Sequence, residues 1–153
     1  MTLDQQIQVL IQEAPQYGVA PVVIERAIAP VLQSIAQQLK HSNYYVLQNS
    51  QEEWVISVIK NPNSSSKEKK VVYAFTTVRD AKNFNQNQQH DLIAVSRPIV
   101  QILFRLFSLQ QIESIVFFEE SNTSQGSEVK RQDIQNLIQQ KLIQLKTTLS
   151  DIA

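Results

Sequence analysis

The spacing of apolar residues changes at Asn43, and that change limits the chain to folds that combine helices with a sheet. Before it, apolar positions recur at three- and four-residue steps, first Leu3, Ile7, Leu10 and Ile11, then Ile24, Ala27, Ile28, Val31, Ile35 and Leu39. This period gathers side chains on one face of an α-helix. After Asn43 come short β-branched and aromatic runs, at Tyr44–Leu47, Trp54–Ile59, Val71–Thr76, Leu92–Val95 and Ile112–Phe118. Their length and composition read as strands.

Boundary signals divide the remainder. Thr2 and Gln5 have the spacing of a capping box, so a first helix is expected from about Thr2 to Glu13, ended by Pro15 and a Tyr17–Gly18 turn. Pro21 opens a second helix, and Pro30 within its apolar stripe is expected to kink or split it. Asn49–Ser50 supplies a turn between the first two strands, which predicts a hairpin at the sheet edge. Asn61–Lys70 reads as a polar loop. Thr77 and Asp80 cap a short helix through Phe84, and Ser96 is expected to cap another with Pro98 in its first turn. Ser121–Gly126 reads as a loop. A last helix over 127–152 carries Val129, Ile134, Leu137, Ile138, Leu142, Leu145 and Leu149.

The resulting order, α-α-β-β-β-α-β-α-β-α, predicts an α+β (mixed α/β) fold with a mixed five-stranded sheet and helices packed on its faces. With 153 residues and no repeat or long linker, one domain over 1–153 is expected, its helical segment 1–42 packing on an α/β core of 43–153.

Composition removes several function classes. Lys plus Arg and Asp plus Glu each number 14, so no net field draws in nucleic acid or an anionic membrane. The absence of cysteine excludes disulfides, thiolate metal sites and cysteine nucleophiles. Phosphate cradles need glycine, and Gly18 and Gly126 are isolated, so no Walker loop or dinucleotide fingerprint exists. The first residues lack the basic start of a signal peptide and no apolar run approaches a membrane span, so a cytoplasmic protein without membrane association is expected. Glutamine contributes 22 residues, read as neutral filler on solvent faces.

Few residues carry chemistry. His41 and His90 are far apart in sequence, and His90–Asp91 reads as a solvated pair, so no metal site and no cofactor are expected. No serine lies in a nucleophile elbow. Glu119 and Glu120 follow a buried strand, at an end where many α/β sites lie, but strand alternation would point them apart. Arg79 and Arg97 are expected near helix starts, against the helix dipole, and a salt bridge to Asp80, Asp91 or Glu119 would explain either. Lys67, Lys69 and Lys70 form a small basic patch without interleaved aromatics, so nucleic-acid binding is not favoured. Trp54, Tyr44 and Tyr45 read as core in preference to an interface anchor.

Three stretches, VVYAFTTVRDAKNF (71–84), DLIAVSRPIVQILF (91–104) and IESIVFFEESNTSQGSEVKRQDIQNLI (112–138), resemble the N-terminal domain of the SseB-like family of bacterial proteins. The resemblance covers less than half the chain. The family's Asn-Pro-Gly-like turn is replaced here by Glu119-Glu-Ser-Asn, and helices 1–42 have no counterpart in it. It implies a mixed α/β fold and no reaction, since the family offers no catalytic signature to carry over.

The expected function is therefore a non-enzymatic protein-interaction or assembly module that binds another protein or itself. The weakly charged second helix, which must be buried on both sides or dock a partner, is its expected surface. The alternative is a small-molecule-binding or catalytic site at the strand ends near Ser96, Arg97, Glu119 and Glu120.

Overall fold

The computed structural model describes residues 1–60, 68–85, 91–120 and 126–152. Its first helix, α1 (Leu3–Gln12), begins as the spacing requires. Thr2 Oγ1 accepts the N–H of Gln5 at 3.2 Å while Gln5 Oε1 accepts that of Thr2 at 2.9 Å. A 3₁₀ turn, Ala14–Tyr17, follows and ends at Gly18, whose φ of 70° is the left-handed conformation glycine adopts without strain.

The helical run from Pro21 to Gln37 meets its internal proline without breaking. Between α2 (Pro21–Val23) and α3 (Ala29–Gln37) the chain widens into a π-helical segment, Ile24–Ile28, in which Ala29 N–H donates to Ile24 O. The extra residue per turn is inserted just ahead of Pro30, whose ring would crowd a regular preceding turn and which has no N–H to donate.

Six strands form one sheet: β1 (Asn43–Gln48), β2 (Ser57–Lys60), β3 (Glu68–Phe75), β4 (Ile93–Pro98), β5 (Ser114–Phe118) and β6 (Gly126–Lys130). The order is β4-β1-β3-β5-β6, with β2 also paired to β3. β3 and β5 are parallel and every other pairing is antiparallel. This is the expected mixed sheet with one strand more. The helices on it are α4 (Val78–Phe84), α5 (Ile99–Ser108) and α6 (Arg131–Ile152), together with the N-terminal run.

Three boundaries differ from expectation. β1 and β2 do not form an edge hairpin: β2 pairs with β3, the bridge Gln48↔Trp54 lies ahead of β2, and β1 lies inside the sheet between β3 and β4. Its run Tyr44-Tyr-Val-Leu buries Tyr44 and Val46 on one face and Leu47 on the other, the two-sided burial of an interior strand. Ser96 does not cap a helix. It pairs with Tyr45, Arg97 with Tyr44 and Pro98 with Asn43, so β4 continues to the helix start and strand pairing overrides the capping signal. Ser127–Lys130 is strand, not helix, because those residues pair with Phe117–Ser114 along the sheet edge. The basic segment is corrected likewise: Lys69 and Lys70 lie in β3. Lys67, His90 and most of the expected 61–70 and 121–126 loops fall outside the described residues.

Strand alternation divides the core into two layers. Val46, Val72, Ala74, Ile115 and Phe117 face a cluster completed by Leu10, Leu32, Ile102, Leu103, Ile134 and Ile138, from α1, α3, α5 and α6. Each of the larger side chains, Val, Leu, Ile or Phe, contributes roughly 1.5–3 kcal/mol when fully buried. On the other face, Leu47, Phe75 and Ala81 of α4 form a smaller layer with Tyr45, Tyr73 and Phe118. The run 21–37 is buried against both α1 and α6 flanks of that first layer, with Ile24, Ala27 and Leu32 fully enclosed. Its low charge accords with this burial, while Val22, Glu25 and Arg26 remain exposed. No helix among the described residues is long and apolar enough to cross a membrane.

Candidate functional site

The sequence-expected site residues fall into two separate places. Glu119 and Glu120 lie just past β5, where alternation no longer fixes their directions, and both turn to the segment that joins α3 to β1. Glu119 Oε1 accepts from Tyr44 Oη at 3.0 Å and its Oε2 from the Lys40 N–H at 2.9 Å. His41 Nε2 lies 3.2 Å from Glu119 O, and the Tyr44 hydroxyl accepts the His41 N–H at 3.3 Å. Glu120 pairs with Lys40 Nζ at 3.0 Å on the surface.

The electrostatics follow from these partners. Burial, reinforced by the hydrogen bond to Glu119, pushes the Tyr44 hydroxyl far above the ordinary phenol value. The Lys40 ammonium holds the Glu120 carboxyl below its usual range and is itself raised by it. Glu119 is chemically a latch, joining the end of β5 to the start of β1. Among the described residues, no group of three His, Cys, Asp or Glu residues is placed to hold a metal ion.

Arg97 lies elsewhere. It shares no hydrogen bond or ion pair with Glu119 or Glu120, and exposed Ser96 alternates to the other face of β4. Arg97 lines a polar cleft of about 200 Å³ with Glu52, Trp54, Gln101, Ile102 and Arg105. The Arg105 guanidinium sits 4.6 Å from the centre of the Trp54 ring and donates from Nη2 to Glu52 O at 2.6 Å. Burial, with the nearby Arg97 charge second, lowers the Arg105 pKa.

The turn carrying Glu52 is built by Asn49. Its Oδ1 accepts the N–H of both Gln51 and Glu53, at 2.9 and 3.0 Å, and Asn49 N–H donates to Glu53 O. Glu52 is thereby held at φ 64°, a left-handed conformation costing a non-glycine residue about 1–2 kcal/mol.

Sequence reasoning missed Arg105 and Gln101. They are four residues apart on α5 and, with Ser108, form the one polar strip of a helix otherwise apolar in every turn. That strip was legible. What it faces was not, because Trp54 and Glu52 reach it through a turn of unusual backbone. An apolar groove of about 210 Å³, lined by Val9, Leu10, Tyr17 and Val100 among others, lies between α1 and α5.

No family model matches the chain, and no curated protein matches it.

Proposed function

We propose that this chain is a non-enzymatic protein-interaction module that self-associates through the distal half of α6. One observation carries the reading. The stripe that buries Ile134 and Ile138 continues as Leu142 and Leu145 beyond the body, where Leu142 is 37% exposed and each residue from 139 to 144 is exposed. A helical extension without tertiary packing is marginal in water, so apolar residues that continue its buried stripe fit a surface completed by another copy. The charges between 139 and 147 are two lysines, Lys141 and Lys146, amid neutral glutamines, which leaves the apolar stripe as the dominant feature.

The likeness of 71–138 to the SseB-like N-terminal domain fits this reading, because it implies no reaction. The hydrogen bonds of Glu119 to Tyr44 and to the Lys40 N–H, and the Glu120–Lys40 ion pair, support it as well, since both strand-end carboxylates make structural contacts. Hydrogen exchange at rising protein concentration tests the surface: amides 139–147 should gain protection as the copies associate, while 131–138 stay protected throughout. Exchange at 139–147 that is fast and independent of concentration would exclude that surface.

A further inference from the structure

Arg97 and Arg105 present two guanidinium groups to one cleft, and neither has a carboxylate within 4.0 Å among the described residues. Charged side chains that share a partly buried site are normally paired, because the desolvated charge is otherwise uncompensated. Here Arg105 has a single neutral acceptor, the Glu52 carbonyl at 2.6 Å, and Arg97 has no hydrogen-bond partner among the described residues. Of the five N–H donors on each guanidinium, nearly all remain unused.

We propose that this cleft binds the carboxylate of a small organic acid, held between the guanidinium groups of Arg97 and Arg105. The planar fork of each guanidinium matches a carboxylate edge, and the two arginines line the same cleft from different elements, β4 and α5. The charge count selects a single negative charge. The two arginines and the lining Glu52 carboxylate sum to one positive charge, which a carboxylate neutralises and a phosphate dianion would exceed.

Supporting geometry is preorganised. Arg105 is fixed by the Trp54 ring and by the Glu52 carbonyl, which the strained turn aims at it. The Gln101 amide, four residues earlier on α5, adds a donor and an acceptor at the rim. Trp54, which also lines the cleft, has a buried Nε1–H with no acceptor among the described residues. A volume of about 200 Å³ lies below the usual range for drug-sized ligands and suits a small acid. This site is independent of α6.

The test is a titration of the full chain with lactate, a monoanion at neutral pH, followed by amide, arginine Nε and indole resonances, beside chloride and inorganic phosphate at matched ionic strength. Lactate should give saturable shifts at Arg97, Gln101, Arg105 and the Trp54 indole that chloride does not reproduce. Arg97→Gln should weaken binding by about ten-fold or more with the remaining spectrum unchanged. Arg105→Lys, which keeps the charge and loses the fork, should also weaken it, so the proposal does not depend on a variant that loosens the Trp54 turn. No saturable shift, equal shifts with chloride, tighter binding of phosphate than of lactate, or an unchanged affinity in Arg97→Gln would each overturn it.

Discussion

Gln6 Oε1 accepts the N–H of Val100 at 3.0 Å, across 94 residues of sequence. The same side chain donates from Nε2 to Ser42 O at 3.0 Å, and Ser42 O also accepts the Ile99 N–H at 2.9 Å. One buried amide thus caps α5, whose first N–H groups have no intrahelical partner, and ties α1 to the start of β1. Gln6→Ala should lower stability by about 2–4 kcal/mol, because it leaves the buried Val100 donor unpaired and opens a void. Gln6→Glu should also destabilise, since it places a carboxylate against the Ser42 carbonyl. Urea denaturation of the two variants checks both.

The Gln6 network shows where sequence reading reached its limit. A glutamine between apolar positions reads as solvent filler, and for Gln132, Gln139 and Gln140 on α6 that reading matches their exposed positions. Gln6 has the same local texture and is 3% exposed, because its partners come from α5 and from the turn before β1. The capping box of α1, the turn at Gly18 and the cap at Thr77 were legible because each is settled within four residues. The α5 start was not: Ser96 offered a local cap, and pairing with β1 overrode it.

β6 escaped notice for a related reason. Gly126-Ser-Glu-Val-Lys offers one apolar side chain, Val129, so its strand character comes from pairing with β5 and not from its own pattern. Gly126 permits that approach. A Cβ there would lie 2.7 Å from Val116 Cγ1. Gly126→Ala should therefore cost about 1–3 kcal/mol, as overpacking does, because the β-branched Val116 has little rotamer freedom to yield. Thermal unfolding monitored by circular dichroism checks it, and Gly126→Ala as stable as the native chain would contradict the register of β6.

The Tyr44–Glu119 hydrogen bond gives the protein an alkaline limit. The Tyr44 hydroxyl is raised above its ordinary value of 10.0 by burial first and by Glu119 second. Its contribution is intact below the unfolded value and is lost as the pH rises past it, because the unfolded chain releases the proton first. Tyr44→Phe should lose about 1–2 kcal/mol at neutral pH and show a shallower decline above pH 10.0. Stability measured against pH for both proteins checks the slope.

At the acid end the relevant group is Glu128. Its carboxyl is held below the ordinary 4.5 by Lys69 first and Ser114 second, whose Oγ donates at 2.7 Å. A depressed folded value contributes stability above the unfolded value, and that contribution disappears as the pH falls through the folded one. Glu128→Gln should leave a flatter acid limb below pH 4.5 and a smaller salt dependence at neutral pH. Acid titrations of the two proteins, followed by fluorescence of Trp54, make the comparison.

The most direct test of the interaction reading is the solution mass of the full chain across a range of concentrations, by size exclusion with light scattering, beside Leu142→Glu. Leu142 lies on α6 beyond the buried Ile138, at 37% exposure, so its substitution should leave the fold intact. The account predicts a mass that rises toward twice 17.5 kDa for the native chain and stays at the monomer value for Leu142→Glu. A native chain that is monomeric at every concentration, or a Leu142→Glu variant that associates as the native chain does, would contradict it.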